Sequence, residues 1–372
     1  MHEFRVDLNH CDERLWFAFE DFTKTKTKAI VQEIQNGTNP EDIQIDFLYE
    51  SEGTTLLIDG KWYINAIHQF ANKYNIPLYN ITVVVTNAKC KDVYNKWHSL
   101  YCNDSEKINL RLSNFGIRLY RSDKDIFIPT GPNIQKRTKK FNCLNANMLP
   151  HRMMMLKEFY EQDMLDTENN LISFHHYIHH GKLPAELEAM CPIQFDIVGT
   201  WDELYGKLFH GKEGFIRDWN KVGDYSHIYE NTYFTVTTES SECYTLCDYH
   251  DDEEINSHMR SFHEELFLTE KIFRPMLYWH PQLVQCSTGT LDYLKQLGFK
   301  TFNNYWNEDY DNEPNGELRT KMIVDETKKL ANKSLDELHE MYIDMLPILD
   351  HNHKLITNYD YENIRSAWYK TS

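Results

Sequence analysis

Two short stretches place charged and polar residues where they could hold an anion. In Phe267-Leu268-Thr269-Glu270-Lys271-Ile272-Phe273-Arg274-Pro275, Thr269 is an N-cap type, and Glu270, Lys271 and Arg274 fall within a turn of the helix start it predicts. A carboxylate beside two cations can accept hydrogen bonds from ribose hydroxyls while Lys271 and Arg274 neutralise phosphate; the same spacing also describes an ordinary i,i+4 surface pair. Pro275 argues against a simple solvated face, because a proline removes a helix bond. In the second stretch, Phe141 to Arg152, a strand runs into a turn containing Asn145 and Asn147, and a helix opens at Pro150. Helix N-termini carry unpaired N–H groups and a partial positive charge, and Arg152 would add a fork of donors suited to a diphosphate. A plain capped helix with a surface arginine is the bland alternative.

The elements needed to position these groups alternate between β and α. Ile43 to Tyr49 alternates as a strand, Thr54 to Ile58 is a second β-rich run, Trp62 to Tyr74 carries a helical stripe, and Ile81 to Val85 is a strand. After an irregular, Pro- and Gly-containing stretch from Ser122 to Lys140, the pattern resumes. Strands are expected at Lys139–Leu144, Leu171–Phe174, Tyr233–Thr237, Gln282–Val284 and Phe299–Phe302. Helices are expected at Pro150–Leu165 and at Thr290–Leu297, the latter stopped by Gly298, and then at Glu317–Ala331 and Leu335–Leu346, the last ending at Pro347. Alternating units predict α/β domains with mostly parallel sheets.

Composition narrows the function classes. The 372 residues are 41% hydrophobic and 14% aromatic, enough for packed cores in two or three domains. Against 39 Lys and Arg stand 57 Asp and Glu, a net charge of −18, which disfavours non-specific binding to polyanions. No apolar run approaches the roughly 20 residues of a membrane span, and the residues from Met1 to Asp7 lack the apolar core of a signal peptide. The expectation is a soluble, non-exported protein whose eight scattered cysteines stay reduced.

The segment from Phe267 to Asp311 resembles a glycosyltransferase-like family of bacteriophages, large viruses and bacteria. The resemblance rests on Thr269-Glu270-Lys271-Ile272-Phe273-Arg274-Pro275, Gly289-Thr290-Leu291, Leu297-Gly298-Phe299-Lys300-Thr301-Phe302 and Glu308-Asp309-Tyr310-Asp311. Asn145 to Arg152 fits an earlier motif of that family, and Val236-Thr237-Thr238-Glu239-Ser240 resembles the strand and glutamate preceding its Thr-Glu-Lys motif. The same residues are distantly similar to the donor half of α-1,3-fucosyltransferases. The match covers about half of the chain, Lys139 to Asp311, and leaves the first 138 residues without a counterpart.

The resemblance implies a GT-B arrangement, two Rossmann-like domains facing across a cleft with a nucleotide-sugar in the second. Under it, residues 1–138 form an acceptor-side domain, 139–334 bind the donor, and 335–372 are helices that cross back toward the first domain. Donor contacts fall to Asn145, Asn147, Arg152, Thr269, Glu270, Lys271 and Arg274, with Arg152 and Lys271 on the diphosphate, Glu270 on the ribose and Glu239 on the sugar. An inverting reaction needs a base to deprotonate the acceptor, and Glu50 and Glu52, at the end of the Ile43–Tyr49 strand, stand where α/β clefts carry functional groups, Glu52 being the candidate.

No cofactor is required beyond the donor itself. Asp309-Tyr310-Asp311 spells an Asp-x-Asp that could hold a divalent cation through hard oxygen ligands, an unfavoured alternative in an acidic chain. His175-His176-Tyr177-Ile178-His179-His180 contains pairs at helical i,i+4 spacing, and Cys243, Cys247 and His250 form a loose cluster, but neither is a complete tetrahedral ligand set. The acceptor stays open between hydroxymethylated DNA bases and a glycan or protein hydroxyl. DNA would need a cationic track, for which Lys24, Lys26, Lys28 and the run Lys136-Arg137-Thr138-Lys139-Lys140 are candidates. A sugar-nucleotide-binding protein without turnover is the remaining alternative. The expected location is the cytoplasm of a bacterium or of a virus-infected cell.

Overall fold

A computed structural model describes residues 2–7, 27–48, 57–58, 61–102, 106–113, 128–147, 150–166, 168–177, 225–239 and 266–358. They form two compact units: residues 2–113 with 266–267, and residues 128–239 with 268–358. Each is α/β around a four-stranded, wholly parallel sheet, an architecture compatible with Rossmann-like folding.

The first unit contains β1 (His2–Asp7), α1 (Lys28–Gln35), β2 (Ile43–Leu48), a two-stranded antiparallel pair β3 (Leu57–Ile58) and β4 (Lys61–Trp62), α2 (Tyr63–Tyr74), β5 (Ile81–Val85), α3 (Cys90–Tyr101) and β6 (Asn109–Leu112). Its sheet order is β1-β2-β5-β6. Alternation in β2 buries Ile43, Ile45 and Phe47, whereas β5, covered on both faces, is nearly continuous hydrophobic sequence. Ile67, Phe70 and Ala71 of α2 close the core as their spacing predicts, while Trp62 lies in β4 rather than in the helix. Of the β-rich run expected from Thr54, residues 54–56 lie outside the described residues. Leu266 joins this unit from far along the chain: its N–H donates to Asn87 Oδ1 at 2.9 Å and its carbonyl accepts from Ala88 N–H at 2.8 Å.

The second unit contains β7 (Lys139–Asn147), α4 (Pro150–Glu161), β8 (Leu171–Tyr177), α5 (Ser226–Tyr229), β9 (Thr232–Thr238), α6 (Glu270–Leu277), β10 (Gln282–Gln285), α7 (Thr290–Gln296), α8 (Gly316–Ala331) and α9 (Leu335–Thr357). The sheet order is β10-β9-β7-β8, so the carboxyl ends of these strands share one edge. Residues 128–138 already belong here, because Arg137 is buried with its guanidinium 3.6 Å from the Tyr342 ring centroid and 5.4 Å from that of Tyr233.

Three elements differ from the sequence expectation. Phe299–Phe302 is not a strand: the backbone continues irregularly after Gly298, whose φ of +92° ends α7, and Asn352 serves Lys300 in place of a ladder by accepting from its N–H and donating to its carbonyl. His175 and His176 lie on strand β8, so helical i,i+4 spacing does not apply to them. Helix α9 does not end at Pro347 but runs on to Thr357. Pro347 is exposed, and the buried stripe Leu338, Tyr342, Met345, Leu349, Asn352, Ile356 passes it unbroken, so packing against α6 and the sheet offsets the one missing backbone bond. This helix belongs to the second unit; the expected crossing back to the first domain falls partly on residues 359–372, outside the described residues.

Candidate functional site

The first candidate stretch folds as its caps dictate. Thr269 is extended, with φ −98° and ψ −178°, and its Oγ1 accepts the Lys271 N–H at 3.2 Å, opening α6. Lys271 Nζ donates to the same Oγ1 at 3.2 Å and lies 3.3 Å from Glu270 Oε1; Arg274 Nη2 approaches that carboxylate at 3.7 Å. The Arg274 guanidinium rests on the Tyr225 ring, 4.3 Å from its centroid, which fixes the fork at the side of the helix. Pro275 sits inside α6 without ending it.

The second stretch arrives at the same place. Strand β9 ends at Thr238, and Glu239, with no exposed surface, follows. The polar groups of Glu239 tie several chain segments together. Its carbonyl accepts from His151 Nε2 at 2.8 Å and Arg152 Nη2 at 3.0 Å, both in the first turn of α4. Its N–H donates to the carbonyl of Gln285, the last residue of β10, at 3.0 Å. Its carboxylate accepts from Thr269, from the N–H on Oε1 at 2.8 Å and from Oγ1 on Oε2 at 2.5 Å. The N-termini of α4 and α6 therefore meet across one residue at the carboxyl edge of the parallel sheet. That edge is where open α/β sheets hold ligands, because strand ends and helix starts leave oriented N–H groups there.

Burial sorts these residues into a floor and a rim. Asn145, His151, Arg152, Glu239, Thr269 and Gln285 are buried, whereas the side chains of Glu270, Lys271 and Arg274 are 24%, 26% and 15% exposed. Electrostatics agree with an anion site. Burial first, then the Arg152, Lys271 and Arg319 cations, against the opposing bond to the Glu239 carbonyl, bring the His151 imidazole down to a pKa of about 3, so it stays neutral while positive charge gathers around it. For Glu270, burial pushes the carboxyl up, but Lys271 and Arg274 outweigh it and hold the group below its ordinary value. Cys143, beneath the floor, is pushed up to about 12 by burial and is no nucleophile at neutral pH.

The sequence-derived candidates fare unequally. Arg152, Glu239, Thr269, Glu270, Lys271 and Arg274 come together as described. Asn145 accepts from Thr238 Oγ1 and donates to Cys143 Sγ at 3.4 Å, and so links β7 to β9. Asn147 closes β7 beside Tyr177, after a register shift. Glu52, with Glu50, lies outside the described residues, as do Cys243, Cys247 and His250.

The Asp309/Asp311 pair, the unfavoured cation alternative, is engaged within the unit. Asp311 caps α7, its two carboxylate oxygens accepting from the Leu291 N–H at 3.0 Å and the Asp292 N–H at 3.3 Å, while Asp309 Oδ2 accepts from Asn307 Nδ2 at 3.0 Å. Among the described residues no group of three or more His, Cys, Asp or Glu is arranged to hold a metal ion. In the basic run, Lys136 pairs with Asp336 at the exposed surface, Arg137 is buried against tyrosine, Lys139 Nζ donates to the Glu168 carbonyl and Lys140 Nζ to that of Ala331. Lys24 and Lys26 lie outside the described residues.

Sequence reasoning missed four contributors. Gln285 donates through Nε2 to the His151 carbonyl at 3.1 Å and to Thr320 Oγ1 at 2.6 Å. Buried Arg319, in α8, donates to Thr288 Oγ1 at 2.9 Å and adds to the positive field at His151. The only signals were a glutamine closing an apolar strand and a histidine beside Arg152; Arg319 and Thr320, inside a polar helix, gave none. Among the described residues no helix is long and apolar enough to cross a membrane. Compared with models of known protein families and with curated proteins, the chain gives no match.

Proposed function

We propose that the second unit binds a nucleotide-sugar through its diphosphate, and that the chain is a glycosyltransferase of GT-B type moving the sugar to an acceptor hydroxyl. The observation that carries this reading is the convergence of Arg152 and Lys271, which are 119 positions apart in the sequence (271 − 152), on Glu239 at the sheet's carboxyl edge. Lys271, on the rim, contacts the departing diphosphate directly. Arg152, buried and bonded to a carbonyl, acts from behind the floor through its charge, stabilising an anion that grows as the glycosidic bond breaks. Glu270, held ionised between two cations, is ready to accept from ribose hydroxyls.

Glu239 serves this reading best by holding Thr269 in place, since its carboxylate is already engaged and it has no exposed surface to offer a sugar. Glu52 remains the candidate acceptor base. With Lys136, Arg137, Lys139 and Lys140 tied into their own unit, a glycan or protein hydroxyl is favoured over a DNA base as acceptor.

Incubation with a panel of nucleotide-sugars, read by thermal stabilisation and by nucleoside diphosphate release, tests the proposal. Lys271→Ala should weaken donor affinity about tenfold to a hundredfold, the worth of one charge-assisted contact, with a modest fall in melting temperature because it takes one of two cations from the largely buried Glu270 carboxylate. Undiminished donor affinity in that variant would refute the assignment. Stabilisation without release would point to a binding protein.

A further inference from the structure

We propose that His151 is a positioning residue of the donor site, its imidazole N–H fixing the Glu239 peptide and, through it, the Thr269–Lys271 turn that receives the phosphates. The proposal rests on the diphosphate reading above. Because a carbonyl oxygen only accepts, the 2.8 Å contact to Glu239 places the imidazole proton on Nε2. The bond is one link of a closed ring. His151 donates to the Glu239 carbonyl, the Glu239 N–H donates to the Gln285 carbonyl at 3.0 Å, and Gln285 Nε2 returns to the His151 carbonyl at 3.1 Å. Three separate pieces of chain, the α4 start, the β9 end and the β10 end, are thereby locked together behind the site. From the same residue the lock extends outward: Glu239 holds Thr269, and Thr269 Oγ1 seats both Lys271 N–H and Nζ.

A histidine suits this position for an electrostatic reason. The site already gathers Arg152, Lys271 and Arg319, and a fourth buried cation would be repelled, so the donor has to be a neutral one. Burial and those three cations keep the imidazole neutral across the physiological range, so the lock holds without titrating.

The test compares His151→Phe, which keeps a ring and removes the donor, with His151→Gln, whose amide nitrogen extends to about the place of Nε2. Two quantities are read for each: the affinity for inorganic pyrophosphate by calorimetry, and amide hydrogen exchange at Thr269. His151→Phe should weaken pyrophosphate binding about tenfold and speed exchange at Thr269, and His151→Gln should restore both to within about twofold of wild type. If the Phe variant does not fold, His151→Asn, with an amide too short to reach the Glu239 carbonyl, should show the same losses. Wild-type affinity and wild-type protection in a folded donor-less variant would overturn the proposal; so would failure of Gln to rescue, which would make ring volume rather than the N–H the reason. Pyrophosphate binding without any nucleotide-sugar binding would sink the glycosyltransferase reading and leave this inference standing. If wild type binds neither, the diphosphate reading falls, and Thr269 exchange alone decides whether His151 positions the turn.

Discussion

Replacing Glu239 by glutamine separates a structural carboxylate from a catalytic one. In wild type, Oε1 accepts the Thr269 N–H at 2.8 Å and Oε2 the Thr269 hydroxyl at 2.5 Å. Glutamine keeps the first acceptor, as a neutral carbonyl, but turns an NH2 toward Thr269 Oγ1. That oxygen already accepts from Lys271 N–H and Nζ, each at 3.2 Å, so donors crowd it and its own proton loses a buried acceptor. One charge-assisted bond is lost and another weakened, for about 2 kcal/mol. In a unit of this size that corresponds to a fall of roughly 4–8 °C in the melting temperature, read by calorimetry with a urea titration as a second measure. Combining Glu239→Gln with Thr269→Val should yield a coupling energy of about 1–2 kcal/mol, because both substitutions break the same contact. A Glu239→Gln protein that melts within a degree of wild type, or two substitutions whose effects simply add, would show that the carboxylate does not hold Thr269. Its place in the site would then need another explanation.

Two further outcomes follow from the same geometry. Glu270 sits below its ordinary value of 4.5, so its stabilising contribution is fully present above that value and fades as the pH falls through it to the depressed folded pKa. Glu270→Gln should therefore be less stable than wild type at neutral pH, and urea titrations across the acid range should show the difference closing as the wild-type carboxylate protonates; a difference that widens on acidification would reverse the assigned sign. Asp311→Ala removes the cap of α7 and should lower stability by about 1–2 kcal/mol with donor affinity and Mg²⁺ response unchanged, measured by melting and by calorimetric titration. Loss of Mg²⁺ binding with normal melting would return Asp311 to a metal-holding role.

Local rules read much of this chain correctly. Strand Ile81–Val85 was legible because a buried parallel strand is a continuous apolar run, and the α6 start because Thr269 caps in the way its residue type prefers. They failed where a long-range partner replaces a local one. Pro347 reads as a stop until the stripe beneath it is seen packed, and nothing near Asp311 in the sequence shows that it caps a helix about twenty residues earlier. Thr54 to Ile58 and Glu52 fall at or beyond the described residues.

The sequence by itself determined the α/β alternation, the two helix starts and the charged residues placed at them, because propensity, capping and hydrophobic period act over a few residues. Only the tertiary structure decided that Arg152 bonds Glu239 while Lys271 reaches it through Thr269, that His151 and Gln285 complete a ring behind it, and that Lys136, Lys139 and Lys140 bond partners within their own unit. The long-range bonds among them join residues from about 30 to 200 positions apart, and no spacing rule along the chain encodes which strand ends become neighbours once a parallel sheet has ordered them.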